Sequence, residues 1–181
     1  MAGLLRPAYA EWAQGAVAKA KELCGAKLRG VIVFGSVGRG TPHDGSDIDM
    51  LLVIDDLPSG RSGRAQICAE VENAWQRGAG RGAPELSLLA RTPGELQSGF
   101  PLLLEILADG QILFDADDAV AQILDGWRRR VAAAKARRVY RGEAWHWDLK
   151  GDAAPEEWQI LNARSLAQSY LRKADVRVAV L

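Results

Sequence analysis

Residues 31–55, VIVFGSVGRGTPHDGSDIDMLLVID, decide how this chain folds. The stretch consists of two short apolar runs, residues 31–34 and 48–54, joined by a loop of Gly, Ser, Thr, Pro and Asp. Short runs that are rich in β-branched residues and bounded by turn residues are typical of buried strands. The stretch therefore predicts two strands of a buried sheet with a polar loop between them.

The two ends of the loop carry residues suited to phosphate and metal chemistry. The first run ends in Gly35-Ser36, where the chain must turn sharply and where backbone N–H groups can face an anion. The second run opens with Asp47 and Asp49, which share a face because side chains alternate along a strand. Two carboxylates about 7 Å apart on one strand repel each other unless a cation lies between them. The pattern predicts a divalent metal site with a phosphate held opposite it.

The spacing of these residues resembles the signature of a known enzyme superfamily. Gly35-Ser36, ten intervening residues and then Asp47-Ile48-Asp49 is similar to the motif of the polymerase-beta-like nucleotidyltransferases. Residues 35–40 and 46–53 most resemble the minimal, stand-alone branch of that superfamily, and a looser similarity extends from the N-terminus to about residue 150. A Rossmann fingerprint and a P-loop do not fit the glycine spacing, and no lysine lies between Lys27 and Lys135.

The resemblance implies a fold and a reaction. The fold class is α/β, with a central mixed sheet flanked by helices and a C-terminal helical tail. We expect the nucleotidyltransferase domain to cover residues 1–150 and the tail to cover residues 151–181. The expected reaction transfers AMP from ATP to a hydroxyl group with release of pyrophosphate. Asp47 and Asp49 would bridge two Mg²⁺ ions that steady the attacking and leaving oxygens.

The same resemblance assigns roles to further residues. Gly35, Ser36, Arg39 and Ser46 are the expected nucleotide-binding residues. The family usually carries a third carboxylate on the strand beside the Asp-x-Asp strand, where it binds one metal ion and acts as general base. Glu85, at the start of the predicted strand 84–89, is the expected third catalytic and metal-binding residue. A different alignment places the family's acid at Ser87, in which case the third ligand is missing.

Composition predicts one soluble domain with at most a small appendage, since the chain has 181 residues, 48% of them apolar, and 23 basic against 23 acidic residues. This balance singles out neither nucleic acid nor a membrane as partner, although the basic residues of 128–141 leave nucleic acid open. Cys24 and Cys68 lack metal-ligand spacing, so we expect reduced core residues. With no signal sequence or membrane-spanning run, the expected location is the cytoplasm.

Hydrophobic periodicity and capping signals predict the remaining elements. Helices are expected over residues 7–23, 64–76, 100–108 and 115–140, and a strand over 110–114. Thr92-Pro93-Gly94-Glu95 has the pattern of a capping box with proline at the first helical position. A final amphipathic helix is expected from Pro155 to Leu181.

Minimal nucleotidyltransferases of this resemblance often act as antitoxins that add AMP to a HEPN-type ribonuclease toxin, so we expect a HEPN-type helical protein as partner. The final helix either docks on that partner, folds back on this chain or pairs in a homodimer. Two other functions stay open: an inert binding module with the same fold, and an enzyme that modifies a small molecule as the aminoglycoside nucleotidyltransferases do. The aminoglycoside nucleotidyltransferases carry a substantial helical domain after the catalytic domain, and the C-terminal tail expected here is short for such a domain.

Overall fold

The structure is a computed structural model that describes residues 7–100, 102–141 and 144–148. Its elements follow in chain order: α1 (Pro7–Cys24), a 3₁₀ turn (Gly25–Lys27), β1 (Leu28–Phe34), α2 (Gly35–Arg39), β2 (Ile48–Ile54), α3 (Arg61–Gly78), β3 (Leu86–Arg91), α4 (Pro93–Ser98), α5 (Leu103–Asp109), β4 (Gln111–Asp115), α6 (Ala119–Ala133), β5 (Arg137–Arg141) and β6 (Ala144–Asp148). The described residues divide into two compact units: the first runs to Ser98 and continues from Leu102 to Ile123, and the second includes residues 99–100 and continues from Leu124. The final helix expected from Pro155 lies outside the described residues.

The first unit is built on a mixed four-stranded sheet in the order β3-β2-β1-β4. β1 is antiparallel to both β2 and β4, whereas β2 and β3 are parallel. Because β1 and β2 run in opposite directions, the end of β1 and the start of β2 meet at one edge of the sheet, and β3 starts at that edge too. The expected central mixed sheet is confirmed.

One face of the sheet packs against α1 and α3. Side chains that alternate along β1 and β2 enter a core with the inner faces of the two helices, namely Val31, Val33, Ile48, Met50, Leu52, Ala13, Ala16, Ala20, Val71 and Trp75. The indole Nε1 of Trp75 donates a hydrogen bond of 3.0 Å to the carbonyl oxygen of Trp12, which ties the two helices together. Burial of these apolar side chains supplies the main driving force for folding of this layer.

The opposite face carries helices as well. α5 contacts β1 and α2, and α4 contacts β2. The buried apolar side chains of α4 and α5 are Leu96, Leu103, Leu104 and Ile106. The start of α4 is held by the predicted capping box, in which Thr92 N–H donates to Glu95 Oε2 at 2.9 Å and Glu95 N–H donates to Thr92 Oγ1 at 3.2 Å. The expectation of helices around the sheet is confirmed.

Two expectations for local structure were wrong. The residues after Gly35 were expected to form a loop, but residues 35–39 form the short helix α2, because Gly35 (φ 68°) lets the chain turn and Gly40 (φ 81°) closes the helix. The helix expected over residues 115–140 is α6, which ends at Ala133 and is followed by the strand β5. A Schellman motif ends α6, since Ala136 N–H donates to Val131 O and Lys135 N–H to Ala132 O.

In the second unit, β5 and β6 form an antiparallel ribbon. The basic residues of 128–141 have several intramolecular partners there. Arg128 pairs with Asp125 at 2.6 Å and Arg137 with Asp148 at 3.4 Å. The Arg130 and Arg138 guanidinium groups lie over the rings of Trp127 and Trp147, 4.9 and 5.6 Å from the ring centres. A role for this segment in nucleic-acid binding stays a prediction.

Neither cysteine forms a disulfide; Cys68 is buried and Cys24 is half-buried. Burial and the nearby Glu72 raise the pKa of the Cys68 thiol to about 11, so this thiol is uncharged at neutral pH. Within the described ranges, no helix has the length and apolar character needed to cross a membrane.

Candidate functional site

Gly35 and Asp49 lie against each other in the candidate site. β1 ends at Phe34, which is paired with Asp49 on β2, so the turn at Gly35 lies directly against the Asp49 side chain. A Cβ atom at position 35 would collide with Asp49 Oδ2. Gly35 also has φ 68°, a conformation that side chains disfavour. The sheet thus brings the backbone of the Gly-Ser turn and one of the two predicted carboxylates into contact.

Asp47 and Asp49 interact electrostatically, as the sequence pattern predicts. Partial burial first and the negative charge of Asp47 second raise the pKa of Asp49 from 3.8 to about 6, and a hydrogen bond with Ser87 acts in the opposite direction. Asp47 precedes β2 and is exposed, whereas Asp49 is half-buried on the strand. Ionisation of Asp49 is therefore less favourable than that of an ordinary aspartate, and a nearby positive charge would offset the difference.

The register of β2 and β3 fixes the places of the two alternative third residues. Asp49 is paired with Ser87, and the two side chains are hydrogen-bonded. Ile48 is paired with Leu86, and its N–H donates to the carbonyl oxygen of Glu85 at 2.8 Å. Continuing this register, Glu85 is level with Asp47, just before β3 begins. Ser87 thus lies beside the half-buried aspartate and Glu85 beside the exposed one.

Arg39 is held in a specific ion pair. Its Nη1 lies 2.6 Å from Asp109 Oδ2 at the end of α5, and its Nε donates to Thr41 Oγ1 at 3.2 Å. The Asp109 side chain is only 7% exposed. Gly38 packs so closely on this region that a Cβ there would lie 2.7 Å from the Asp109 carbonyl oxygen. The contacts of Arg39 hold α2 against α5, which places the Gly35-Ser36 turn.

Ser46 belongs to the hydrogen bonds of the loop before Asp47. Its side chain is buried, and its Oγ accepts the N–H of His43 at 3.0 Å, while its own N–H donates to the His43 carbonyl oxygen at 3.0 Å. The Tyr9 hydroxyl on α1 donates to the carbonyl oxygens of His43 and Ser46, at 3.3 and 3.4 Å. These bonds fix the backbone that leads directly into Asp47.

Asp109 and Tyr9 were not singled out from the sequence. Asp109 is 70 residues from Arg39 and Tyr9 is 37 residues from Ser46, and neither belongs to a local motif. Their partners become visible only once α1 and α5 have packed on the sheet. The aspartate at the end of an apolar helix was the one available signal, because a carboxylate is unfavourable near a helix C-terminus unless it has a cationic partner.

The donors of the site fit Mg²⁺. This ion prefers oxygen ligands and is commonly held by one or two carboxylates together with substrate phosphates. Asp47 and Asp49 supply two carboxylates, and the raised pKa of Asp49 marks a place where positive charge is favourable. Among the residues that the structure describes, no group of three His, Cys, Asp or Glu side chains is gathered for metal binding. The two aspartates are thus brought together, and the role of Glu85 as third ligand stays a prediction.

Comparison with known proteins agrees with this geometry. The family model described as the nucleotidyltransferase domain matches residues 18–101. A protein of Methanocaldococcus jannaschii named "Putative protein adenylyltransferase" is 27% identical over 135 residues, which cover 72% of this chain and 87% of that protein. 

Two solved structures are similar in outline. A toxin–antitoxin structure with AMP-PNP is 18% identical, with 67% of this chain and 92% of that chain covered and a TM-score of 0.45. The toxin–antitoxin MntA-HepT is 15% identical, with 68% and 92% covered and a TM-score of 0.41. The matched segment of the family model contains the Gly-Ser turn, both aspartates and Glu85. Residues 18–101 therefore match a nucleotidyltransferase domain, and this match together with the archaeal relative supports a nucleotidyltransferase activity.

Proposed function

We propose that this protein transfers AMP from ATP to a hydroxyl group of a protein, with Mg²⁺ as cofactor, and that the acceptor is a HEPN-type ribonuclease toxin. The contact between Gly35 and the Asp49 carboxylate, next to Asp47, carries the proposal. It places a backbone turn that can bind phosphate directly beside two carboxylates that can hold a metal ion. Phosphoryl-type transfer needs both groups at one point, because catalysis depends on positioning and charge stabilisation.

Asp47 and Asp49 are the proposed metal ligands. Mg²⁺ held between them and the substrate phosphates would neutralise the charge that develops on the phosphate oxygens. Residues of the chain bind the phosphates of the substrate. The backbone N–H groups at Gly35 and Ser36 bind the terminal phosphates, and the side chain of Ser36 adds a hydroxyl donor. The acceptor oxygen then bonds to the α-phosphorus, the bond to the β-phosphate oxygen breaks, and pyrophosphate leaves.

Arg39 and Ser46 support this arrangement through the backbone. Arg39 keeps α2 on α5 through Asp109, and its side chain is 37% exposed near the phosphate-binding turn. Ser46 holds the loop that ends at Asp47. We propose that both residues position the nucleotide-binding segments, with Arg39 able to approach a phosphate from the exposed side of its guanidinium.

Glu85 is the proposed general base. It is exposed and level with Asp47 in the register, so its carboxylate can accept the proton that the acceptor hydroxyl loses. In the same position it can add a third oxygen ligand once a metal ion and substrate are present. Ser87, beside Asp49, has no ionisable group and serves Asp49 as a hydrogen-bond partner.

The protein acceptor follows from the name of the archaeal relative, and the HEPN-type toxin from the resemblance of residues 35–53 to minimal nucleotidyltransferases. We further propose that residues 1–150 form the catalytic domain, that residues 151–181 form a helical tail that contacts the partner or a second copy of the chain, and that the protein acts in the cytoplasm.

The proposal is tested with ATP labelled at the α-phosphate, Mg²⁺ and a purified HEPN-type ribonuclease. The expected result is label on the ribonuclease with the unmodified protein and none with Asp49→Asn. Asp56→Asn is the matched control, since it makes the same change at the other end of β2 and asparagine suits the φ of 53° there. Full transfer by Asp49→Asn, or no labelled product with the unmodified protein, would contradict the proposal.

A further inference from the structure

A cleft of about 510 Å³ lies between α3 and β3, the strand at one edge of the four-stranded sheet. α3 contributes side chains at helical spacing between Arg61 and Glu72, and β3 contributes its last residues, from Leu88 to Arg91. β3 is parallel to β2, and Arg91 is paired with Val53 near the end of β2. The cleft therefore belongs to the edge of the sheet and to the ends of these strands, not to their starts.

Three arginines line one end of the cleft. Arg61 and Arg64 are in the first turn of α3, and Arg91 is the last residue of β3. Arg64 pairs with Glu95 of α4 at 2.7 Å. Burial lowers the pKa of the Arg91 guanidinium, the charge of Glu95 opposes this effect, and the positive charge of Arg64 lowers the pKa further. Arg64 and Arg91 thus repel each other despite Glu95, and a further anion is attracted to this end of the cleft.

The rest of the cleft has a different character. Its centre is lined by small or apolar side chains, namely Ala65 and Cys68 of α3 and Leu88 and Ala90 of β3. Glu72 lies at the far end, eleven residues from Arg61, which is about 16 Å along the helix axis. Its Oε1 accepts the N–H of Leu88 at 3.1 Å. The cleft is therefore cationic at one end, apolar in the middle and acidic at the other end.

This distribution of charge decides between possible ligands. A nucleic-acid strand needs positive charge along its whole length, and Glu72 would repel its phosphates. A single phosphate group would use the arginine end and leave the apolar centre uncovered. A protein segment with an acidic residue beside apolar residues matches both parts, because guanidinium groups bind carboxylates bidentately and apolar side chains cover the centre.

The edge of β3 favours binding through side chains. An exposed strand edge can accept a further strand, but this needs free backbone groups. The N–H of Leu88, in the middle of β3, already donates to Glu72. A bound segment is therefore expected to use its side chains in the cleft and not to extend the sheet.

We propose that this cleft is a docking site for an acidic segment of a partner protein, in which a glutamate or aspartate contacts the arginines and neighbouring apolar residues pack on Ala65 and Leu88. The site is independent of the proposed AMP transfer. Arg91 is level with Val53, whereas Asp47 precedes the start of β2. Six residues of strand span about 20 Å, so docking here would hold the partner on the protein and leave Asp47 accessible.

A random library of short peptides displayed on phage tests the site without assuming a sequence. Peptides selected on the unmodified protein are synthesised, and their affinities are measured by fluorescence anisotropy. Arg61→Glu reverses an exposed charge of the cleft, and Arg77→Glu makes the same change at an exposed position at the other end of α3. Ala65→Trp fills the centre from an exposed position, and Ala18→Trp makes the same change at an exposed position on α1.

The expected result is a set of peptides in which acidic residues adjoin apolar ones. Arg61→Glu and Ala65→Trp each weaken binding of these peptides by about tenfold, and the two control variants stay within about twofold. Lysine in place of the acidic residue improves peptide binding to Arg61→Glu and not to the unmodified protein. All four variants remain folded by circular dichroism and bind a non-hydrolysable ATP analogue like the unmodified protein.

Failure to select any peptide, or selection of peptides without acidic residues, would overturn the docking site. Equal peptide affinity of Ala65→Trp and Ala18→Trp would overturn it as well. If single-stranded RNA binds the unmodified protein, loses affinity with Arg61→Glu and no peptide binds, the cleft takes nucleic acid and the proposal is wrong. None of these measurements involves transfer of AMP, so the docking site and the proposed reaction stand or fall separately.

Discussion

Gly35 and Asp49 are in close contact: the Asp49 carboxylate occupies the space that a Cβ atom at position 35 would need. The pairing of Phe34 with Asp49 across β1 and β2 enforces this contact. Gly35 is therefore required for two separate reasons, its positive φ and the approach of the carboxylate.

Gly35→Ala should lose both stability and AMP transfer. The left-handed backbone costs about 1–2 kcal/mol for a residue with a Cβ, and the new methyl group must also displace the Asp49 carboxylate. Gly25→Ala is the matched control, because Gly25 has φ 56° and open space around its Cβ position. Urea unfolding should show a larger loss for Gly35→Ala than for Gly25→Ala, and the control should keep its activity. If the two variants lose the same free energy of unfolding, the contact between Gly35 and Asp49 does not contribute to stability.

The raised pKa of Asp49 makes the metal-free protein less stable at alkaline pH. Burial first and the charge of Asp47 second raise that pKa from 3.8 to about 6, so the folded protein holds the proton more tightly than the unfolded chain. The resulting stability is complete below pH about 3.8 and is lost as the pH rises through 6. Asp49→Asn should therefore be about 1–2 kcal/mol more stable than the unmodified protein at pH 8, allowing for partial solvent exposure.

Urea unfolding without divalent ions at pH 4.5 and pH 8 checks this prediction, because the difference between the two proteins should shrink at the lower pH. Mg²⁺ added at pH 8 should stabilise the unmodified protein and leave Asp49→Asn unchanged. Asp56→Asn provides the control for loss of an exposed aspartate at the end of β2. An unmodified protein as stable as Asp49→Asn at pH 8 would contradict the burial and repulsion assigned to Asp49.

The sequence predicted those parts of the fold and site that depend on local patterns. The two apolar runs, the proximity of Asp47 and Asp49, and the capping box of Thr92 and Glu95 are all encoded within a few residues. The end of α6 was missed because Lys135 occupies the left-handed position of the Schellman motif, which glycine usually fills. The Arg39–Asp109 pair was missed because it forms only after α5 packs on α2.

The ion pair between Arg64 and Glu95 should stabilise the junction of α3 and α4. Arg64 Nη1 lies 2.7 and 2.9 Å from the two Glu95 oxygens, and Arg64 Nε donates to the Pro58 carbonyl oxygen at 2.6 Å. Burial opposes ionisation of Glu95, but the hydrogen bond from Thr92 and the charge of Arg64 outweigh it and lower its pKa. Glu95→Gln should cost about 1 kcal/mol at pH 7, since the carboxylate is partly exposed.

The contribution of Glu95 to stability should depend on pH in the opposite direction to that of Asp49. A lowered pKa means that the stability is present above the ordinary glutamate value of 4.5 and is lost as the pH falls through the folded value. The difference in free energy of unfolding between the unmodified protein and Glu95→Gln should therefore narrow as the pH is lowered below the ordinary glutamate value of 4.5. Glu11→Gln, at an exposed position on α1, should show no such difference at either pH. If the difference in free energy of unfolding between the two proteins stays constant across this pH range, the effect of Glu95 comes from the shape of its side chain and not from its charge.

Positions 85 and 87 are the two alternatives for the third carboxylate of the site, and variants at each position should behave differently. If Glu85 is the general base, Glu85→Gln should lower the rate of AMP transfer about a hundredfold or more while binding of ATP is kept, because binding depends on Gly35, Ser36 and the two aspartates. Rate and nucleotide affinity are measured separately, by single-turnover transfer of labelled AMP and by titration with a non-hydrolysable analogue.

Ser87→Asp tests the other position, since it places a third carboxylate directly beside Asp49 in the β2–β3 register. With Glu85 as the base, the new charge only adds repulsion, so Ser87→Asp should destabilise the metal-free protein and should not restore the activity that Glu85→Gln removes. Ser87→Asn, with nearly the same shape and no charge, controls for the loss of the hydroxyl. If the double variant Glu85→Gln, Ser87→Asp transfers AMP as fast as the unmodified protein, the catalytic carboxylate belongs beside Asp49, and Glu85 has no part in the chemistry.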